Sequence, residues 1–215
     1  MFPLSAVLFP HGELPLHVFE PRYRQLTEDC LAGDGEFGVV LIARGSEVGG
    51  GDQRFAVGSV AHIEAASRFD DGRWALITEG RRRISVRRWL PDDPYPLAEV
   101  EDLPDPPAPG DEAVLLEARL VEATAAVRRA RTLASELGSP APVVADLGPD
   151  GPDDGDHQAH LWRLCAMAPL TAFDSQALLE TDDPGTRLRR LSDLCDAVSG
   201  DLSQLLGGSR GPTDD

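Results

Sequence analysis

The rhythm of apolar and polar positions changes near residue 103. Before it, apolar residues come in short runs or at alternate positions, the spacing of strands. Residues 4–9 and 14–19 are apolar runs separated by Pro10-His11-Gly12, a turn signal. Glu20-Pro21-Arg22-Tyr23 then places a proline where a first helical turn accepts it, with Tyr23, Leu26 and Cys30 in helical rhythm and Gly33 as the stop. Residues 37–43 are continuously apolar, as in a buried strand, and residues 45–52 form a Gly-rich connection. Val57, Ala61, Ile63 and Ala65 alternate with polar His62 and Glu64, and Asp70-Asp71-Gly72 predicts a hairpin turn into residues 74–79. Past Gly80 the alternation puts Ile84 and Val86 inward and Arg81, Arg83 and Arg87 outward. A glycine within such a run marks a bulge or a corner. Residues 95–103 supply a last strand. Short, bent strands with one early helix predict a small β-barrel over residues 1–103.

Residues 104–110 hold four prolines and fit neither sheet nor helix interior, so they read as a linker. Beyond them the period is helical. Leu116, Leu120, Ala123, Val127, Ala130, Ala134 and Leu137 form one stripe, ended by Gly138 and Pro140. Residues 148–156 are an acidic Gly/Pro loop and residues 157–167 a short helix. Thr171 and Asp174 can cap a third helix through Leu178 and Leu179. Asp183 and Pro184 open a last helix whose stripe is Leu188, Leu191, Cys195, Val198, Leu202 and Leu205. The expectation is an antiparallel helical bundle over residues 111–206, with a disordered tail at 207–215. The fold class is thus α+β.

Composition narrows the chemistry. The 215 residues carry a formal charge of −17, concentrated in the second half, which disfavours nucleic acid and anionic membrane as general partners. All 20 basic residues are arginine. Without lysine there is no P-loop, no Schiff-base lysine and no Ser–Lys dyad. Cys30, Cys165 and Cys195 are sparse and unpaired in sequence, as in a reduced cytosolic protein, and Cys195 falls on an apolar stripe. No basic residue precedes the opening apolar run and no run reaches the ~20 residues of a membrane span, so a cytoplasmic location is expected.

Several stretches, in order along nearly the whole chain, resemble the Lon protease N-terminal, substrate-binding domain family. They are Phe2-Pro-Leu-Ser-Ala-Val-Leu-Phe-Pro10 with Leu14-Pro-Leu-His-Val-Phe-Glu-Pro-Arg-Tyr-Arg24, then Val57-Gly-Ser-Val-Ala-His-Ile63, Asp71-Gly-Arg-Trp74 and Glu79-Gly-Arg-Arg-Arg83. Pro94-Tyr-Pro-Leu-Ala-Glu-Val-Glu101, Gln176-Ala-Leu-Leu-Glu180 and Arg187-Leu-Arg-Arg-Leu191 follow. The resemblance implies a PUA-like β-barrel followed by a helical bundle, in a stand-alone form with neither the ATPase nor the protease domain. It also implies a non-catalytic module that binds polypeptide or docks a partner in protein quality control.

His157 and His160, near Asp153, Asp154, Asp156 and Cys165, lack a metal-binding arrangement of known spacing, and a helix surface explains them better. Residues 45–51 are glycine-rich without a phosphate-binding motif. His17 lies near Glu20 but no nucleophile accompanies it. No metal or cofactor is expected. Arg81, Arg83 and Arg87, with Arg68 and Arg73 nearby, form a basic stripe interleaved with Glu64, Asp70, Asp71 and Glu79, which argues against phosphate binding. The binding residues expected are Phe19, Tyr23 and Trp89, flanked by Arg22 and Arg83, because aromatic and arginine side chains carry much of interface energy. A small-molecule-binding or RNA-binding barrel is the alternative.

Overall fold

The computed structural model describes residues 1–45, 47, 51–106, 113–138 and 157–208, and the chain divides into two units, Met1–Pro104 and Asp105–Asp215. Most of residues 45–51, the centre of the Pro-rich linker, the 148–156 loop and the tail beyond 208 lie outside the described residues.

The first unit contains β1 (Phe2–Leu4), β2 (Glu13–Val18), α1 (Pro21–Ala32), β3 (Glu36–Arg44), β4 (Gln53–Arg68), β5 (Trp74–Leu90) and β6 (Leu97–Asp102). The sheet runs β1-β3-β4-β5-β2, with β6 also on β5; β1 pairs with β3 in parallel and the other ladders are antiparallel. Strand β5 is 17 residues long. That length lets β2 pair with its first half and β6 with its second on the edge opposite β4. The α+β architecture is present, but the sheet is not closed into the expected barrel. Among the described residues no ladder joins β1, which is only three residues long, to β2. Phe2, Leu4, Val18, Tyr23, Leu26, Phe37, Val39, Ala61 and Leu76 are among the residues of its core.

Two bulges between β4 and β5 reset the inward–outward alternation. Val60 faces Arg82 and Ala61 faces Gly80, so Arg81 is an extra residue on β5. The side chain expected to point outward at Arg83 therefore turns inward, and Arg83 is only 2% exposed. Similarly, Ile63 faces Thr78 and Ala65 faces Ile77, which leaves Glu64 as the extra residue and brings Ala65 to the solvent side. Gly80 is required at the first bulge. The 8–12 loop crosses there, and a Cβ would stand 2.0 Å from the Phe9 carbonyl oxygen. The crossing is fixed by His11 N–H to Gly80 O at 2.7 Å and Gly80 N–H to Gly12 O at 2.8 Å.

The second unit contains α2 (Ala113–Glu136), α3 (His157–Met167), α4 (Ala172–Leu179) and α5 (Pro184–Gly208). Ala123, Val127 and Ala130 of α2 are buried, as are Leu188, Leu191 and Cys195 of α5. Thr171 caps α4 by accepting the Asp174 N–H, and Asp183 caps α5 by accepting the Thr186 N–H at 2.7 Å. The expected antiparallel pairing does not hold for the two long helices. Arg129 pairs with Asp196 at 2.7 Å, and a Cβ on Gly185 would meet Arg119, so α2 and α5 run parallel. Short loops give antiparallel neighbours, but here α3 and α4 stand between α2 and α5 in the chain.

A buried ion pair ties the start of this unit to its helices. The Arg187 guanidinium, fully buried, donates to Asp105 Oδ1 at 2.7 Å and lies 3.8 Å over the Trp162 ring. Trp162 Nε1 and Gln158 Nε2 donate to the other carboxylate oxygen at 2.9 and 2.7 Å. Arg187 also donates to the carbonyls of Leu178 and Thr181 at the end of α4.

Candidate binding face

Strand β2 alternates sharply. Leu14, Leu16 and Val18 turn toward the core while Glu13, Pro15, His17 and Phe19 are exposed. Its register continues that exposed row across the sheet: Pro15 faces Ile77, which faces Ala65, and His17 faces Ala75, which faces Ser67. Phe69 follows at the end of β4, its ring edge-on to His17 at 6.1 Å, and His17 lies 6.4 Å from the Phe19 ring. Phe19 is 51% exposed, and Phe69 and Ile77 are each 45% exposed. These rows contain no carboxylate or arginine. Charge appears only at the borders, with Glu13 opposite Glu79 at one end and Arg73 against Phe69, 5.8 Å from the ring centre, at the other. Contiguous apolar exposure of this kind marks an interaction surface more often than chance.

Beside this face, between the unjoined strands β1 and β2, lies a pocket of about 140 Å³. Phe2 and Leu4 line one side, Leu16 and Val18 another, and Phe19, Tyr23, Glu20 and Glu47 complete it. Tyr23 is 3% exposed and stacks on Phe2 at 4.1 Å. Burial pushes its hydroxyl pKa up to about 12, with Arg22 acting in the opposite sense. The Arg22 guanidinium lies 4.5 Å from the Tyr23 ring centre, pairs with Glu20 at 3.2 Å and donates to the Glu47 carbonyl at 3.3 Å. Ser5 donates to the Glu47 carboxylate through both its backbone N–H and its hydroxyl.

Of the residues expected to bind, Phe19 and Tyr23 line this pocket, and Arg22 lies against the Tyr23 ring without lining it. Arg83 does not flank it: it is buried within the sheet, where its carbonyl accepts the Leu103 N–H. Trp89 lies on the second half of β5 opposite Ala98, packed against the Arg54 guanidinium at 4.4 Å, and is not part of the pocket lining. Sequence reasoning passed over Pro15, Phe69 and Ile77, and weighed His17 only for acid–base chemistry. One signal was available, since Trp74, Ala75, Leu76 and Ile77 are apolar at both parities, which a strand with one wet face does not need.

The other candidates resolve as follows. The exposed arginines of β5 are each met by carboxylates: Arg81 by Glu64 and Glu79, Arg82 by Glu36 and Asp102, Arg87 by Glu101 and Arg88 by Glu99. Cys165 and Cys195 are buried, and desolvation pushes both thiols up to about 12; Cys30, half-buried, is pushed to about 11 for the same reason. Thiols so shifted are poor nucleophiles at neutral pH. Among the described residues no group of three or more His, Cys, Asp or Glu is placed to hold a metal ion; Asp153, Asp154 and Asp156 lie outside them. No helix among them is long and apolar enough to cross a membrane.

A mixed sheet followed by a helical unit has counterparts among solved structures. The chain resembles the Lon N-terminal domain protein of Xanthomonas campestris (28% identity, TM-score 0.57, covering 88% of this chain and 94% of that one). It shares its fold with the N-terminal domain of Mycobacterium avium complex Lon protease (20% identity, TM-score 0.58, 90% and 96% covered). Residues 1–197 match the model of the ATP-dependent protease La (LON) substrate-binding domain, and the chain belongs to that family. Lon protease 2 of Herpetosiphon aurantiacus is 28% identical over 88% of this chain, and Lon protease 2 of Myxococcus xanthus 27% over the same share. In both cases the chain spans 22% of the relative's length, and the matched region is the substrate-binding domain rather than a catalytic one.

Proposed function

We propose that this chain is a non-catalytic polypeptide-binding module of the cytoplasm, serving protein quality control by holding exposed apolar segments of other proteins. The observation that carries the reading is the uncharged face of Pro15, His17, Phe19, Phe69, Ala75 and Ile77 on a chain whose charge is otherwise −17. Burying such a face releases about 25 cal/mol per Å² of apolar surface, from which the cost of ordering the bound segment is subtracted. Membership of a substrate-binding family and the lack of any lysine for nucleotide or Ser–Lys chemistry support the same role. Phe19, Arg22 and Tyr23 belong to the proposed site at the pocket; Trp89 and Arg83 do not line it. Titrating a labelled, permanently unfolded polypeptide with the chain and following anisotropy tests this. Saturable binding at micromolar concentration is expected, and a flat titration would remove the reading.

A further inference from the structure

The pocket between β1 and β2 has a chemistry different from the face beside it. Its lining includes two acidic residues, Glu20 and Glu47, and the exposed Phe19, and no arginine. Five charges gather at this corner: Glu20, Glu47 and Arg22, together with Asp52 and Arg54, which pair with each other. Arg22 is committed to Glu20, whereas among the described residues no cation pairs with the Glu47 carboxylate, whose contacts are with the neutral Ser5. One negative charge is left over. The corner already holds a guanidinium, since Arg22 rests on the Tyr23 ring between Glu20 and the Glu47 carbonyl, so its donors and acceptors suit a cation. An aromatic face next to a carboxylate attracts ammonium and guanidinium groups.

From this geometry we infer that the pocket takes a single lysine or arginine side chain of the bound segment. The module thereby selects apolar stretches interrupted by a basic residue over apolar stretches alone. Pro15, His17 and Phe19 belong both to the face and to the pocket lining, so a segment lying on the face passes the pocket mouth within reach of a side chain. The 140 Å³ volume accommodates the end of such a side chain and not a second strand. The net charge of −17 acts in the same direction by drawing cationic segments toward the chain. The inference rests on the proposed polypeptide binding and sharpens it.

The test uses three fluorescent peptides of one apolar sequence, with lysine, glutamine or glutamate at a single central position, titrated against the whole chain. The lysine peptide should bind about tenfold more tightly than the glutamine peptide, with the glutamate peptide weakest, and the lysine advantage should shrink as salt rises. Glu47→Gln should remove most of the lysine peptide's advantage over the glutamine peptide. Equal affinity of the wild-type chain for all three peptides overturns the basic-residue pocket and leaves apolar capture standing. Failure of all three to bind removes both. Because the peptide comparison is made on the unaltered chain, it holds even if Glu47→Gln disturbs folding.

Discussion

At the scale of single residues, the most constrained group is Arg187. Its guanidinium is fully buried, stacked on Trp162 and paired with Asp105, which lies 82 positions earlier in the chain. A buried charge without its partner is costly, so Asp105→Ala should destabilise the helical unit by about 3 kcal/mol or more. Replacing both partners in Asp105→Ala/Arg187→Met should recover part of that loss, as read from urea midpoints of the helical signal. Nothing in the sequence announced this pair. Asp105 sits among prolines that read as linker, and Arg187 appeared only within an arginine-rich helical run. Propensity and periodicity describe neighbours along the chain, and this contact joins residues far apart in it. Cys195 shows the opposite case, since its place on a heptad stripe indicated burial directly.

Element by element, most helices and strands were readable, and the exceptions have specific causes. Alternation correctly turned Ala61 and Ile63 inward, then failed at Ala65 and Arg83 because each lies just past a bulge that inserts one residue. Gly80 marked the first bulge in advance, but it could not tell which arginine would be turned in. Gly80→Ala should cost about 2 kcal/mol or more, because its Cβ would meet the Phe9 carbonyl and strained overpacking is the result. A thermal melt checks this directly. Helix α5 gives a pH prediction. Thr186, through its side chain and backbone N–H, holds the Asp183 carboxyl below its ordinary value of 3.8. A depressed carboxyl pKa contributes stability that is complete above the unfolded-state value and is lost as pH falls through the folded-state value. Asp183→Ala should therefore cost about 1 kcal/mol near neutral pH, with the difference from wild type shrinking below about pH 4. Denaturant melts over that range measure it.

Taken as a whole, the molecule combines an open sheet, a helical unit and a strongly acidic surface with one uncharged apolar face. The fold class followed from the switch between strand and helix rhythm at the proline-rich segment, whereas the openness of the sheet lies in which strands pair, which no rhythm records. The candidate site was half legible. Phe19, Arg22 and Tyr23 stand together in one motif, but Phe69 and Ile77 join them only through the β2–β5–β4 register. Isotope-labelled chain, followed amide by amide while an unfolded polypeptide is added, puts the central claim to the test. The account predicts shifts concentrated in residues 13–20, 65–69 and 73–79; shifts confined to residues 113–208, or none at saturating polypeptide, would contradict it.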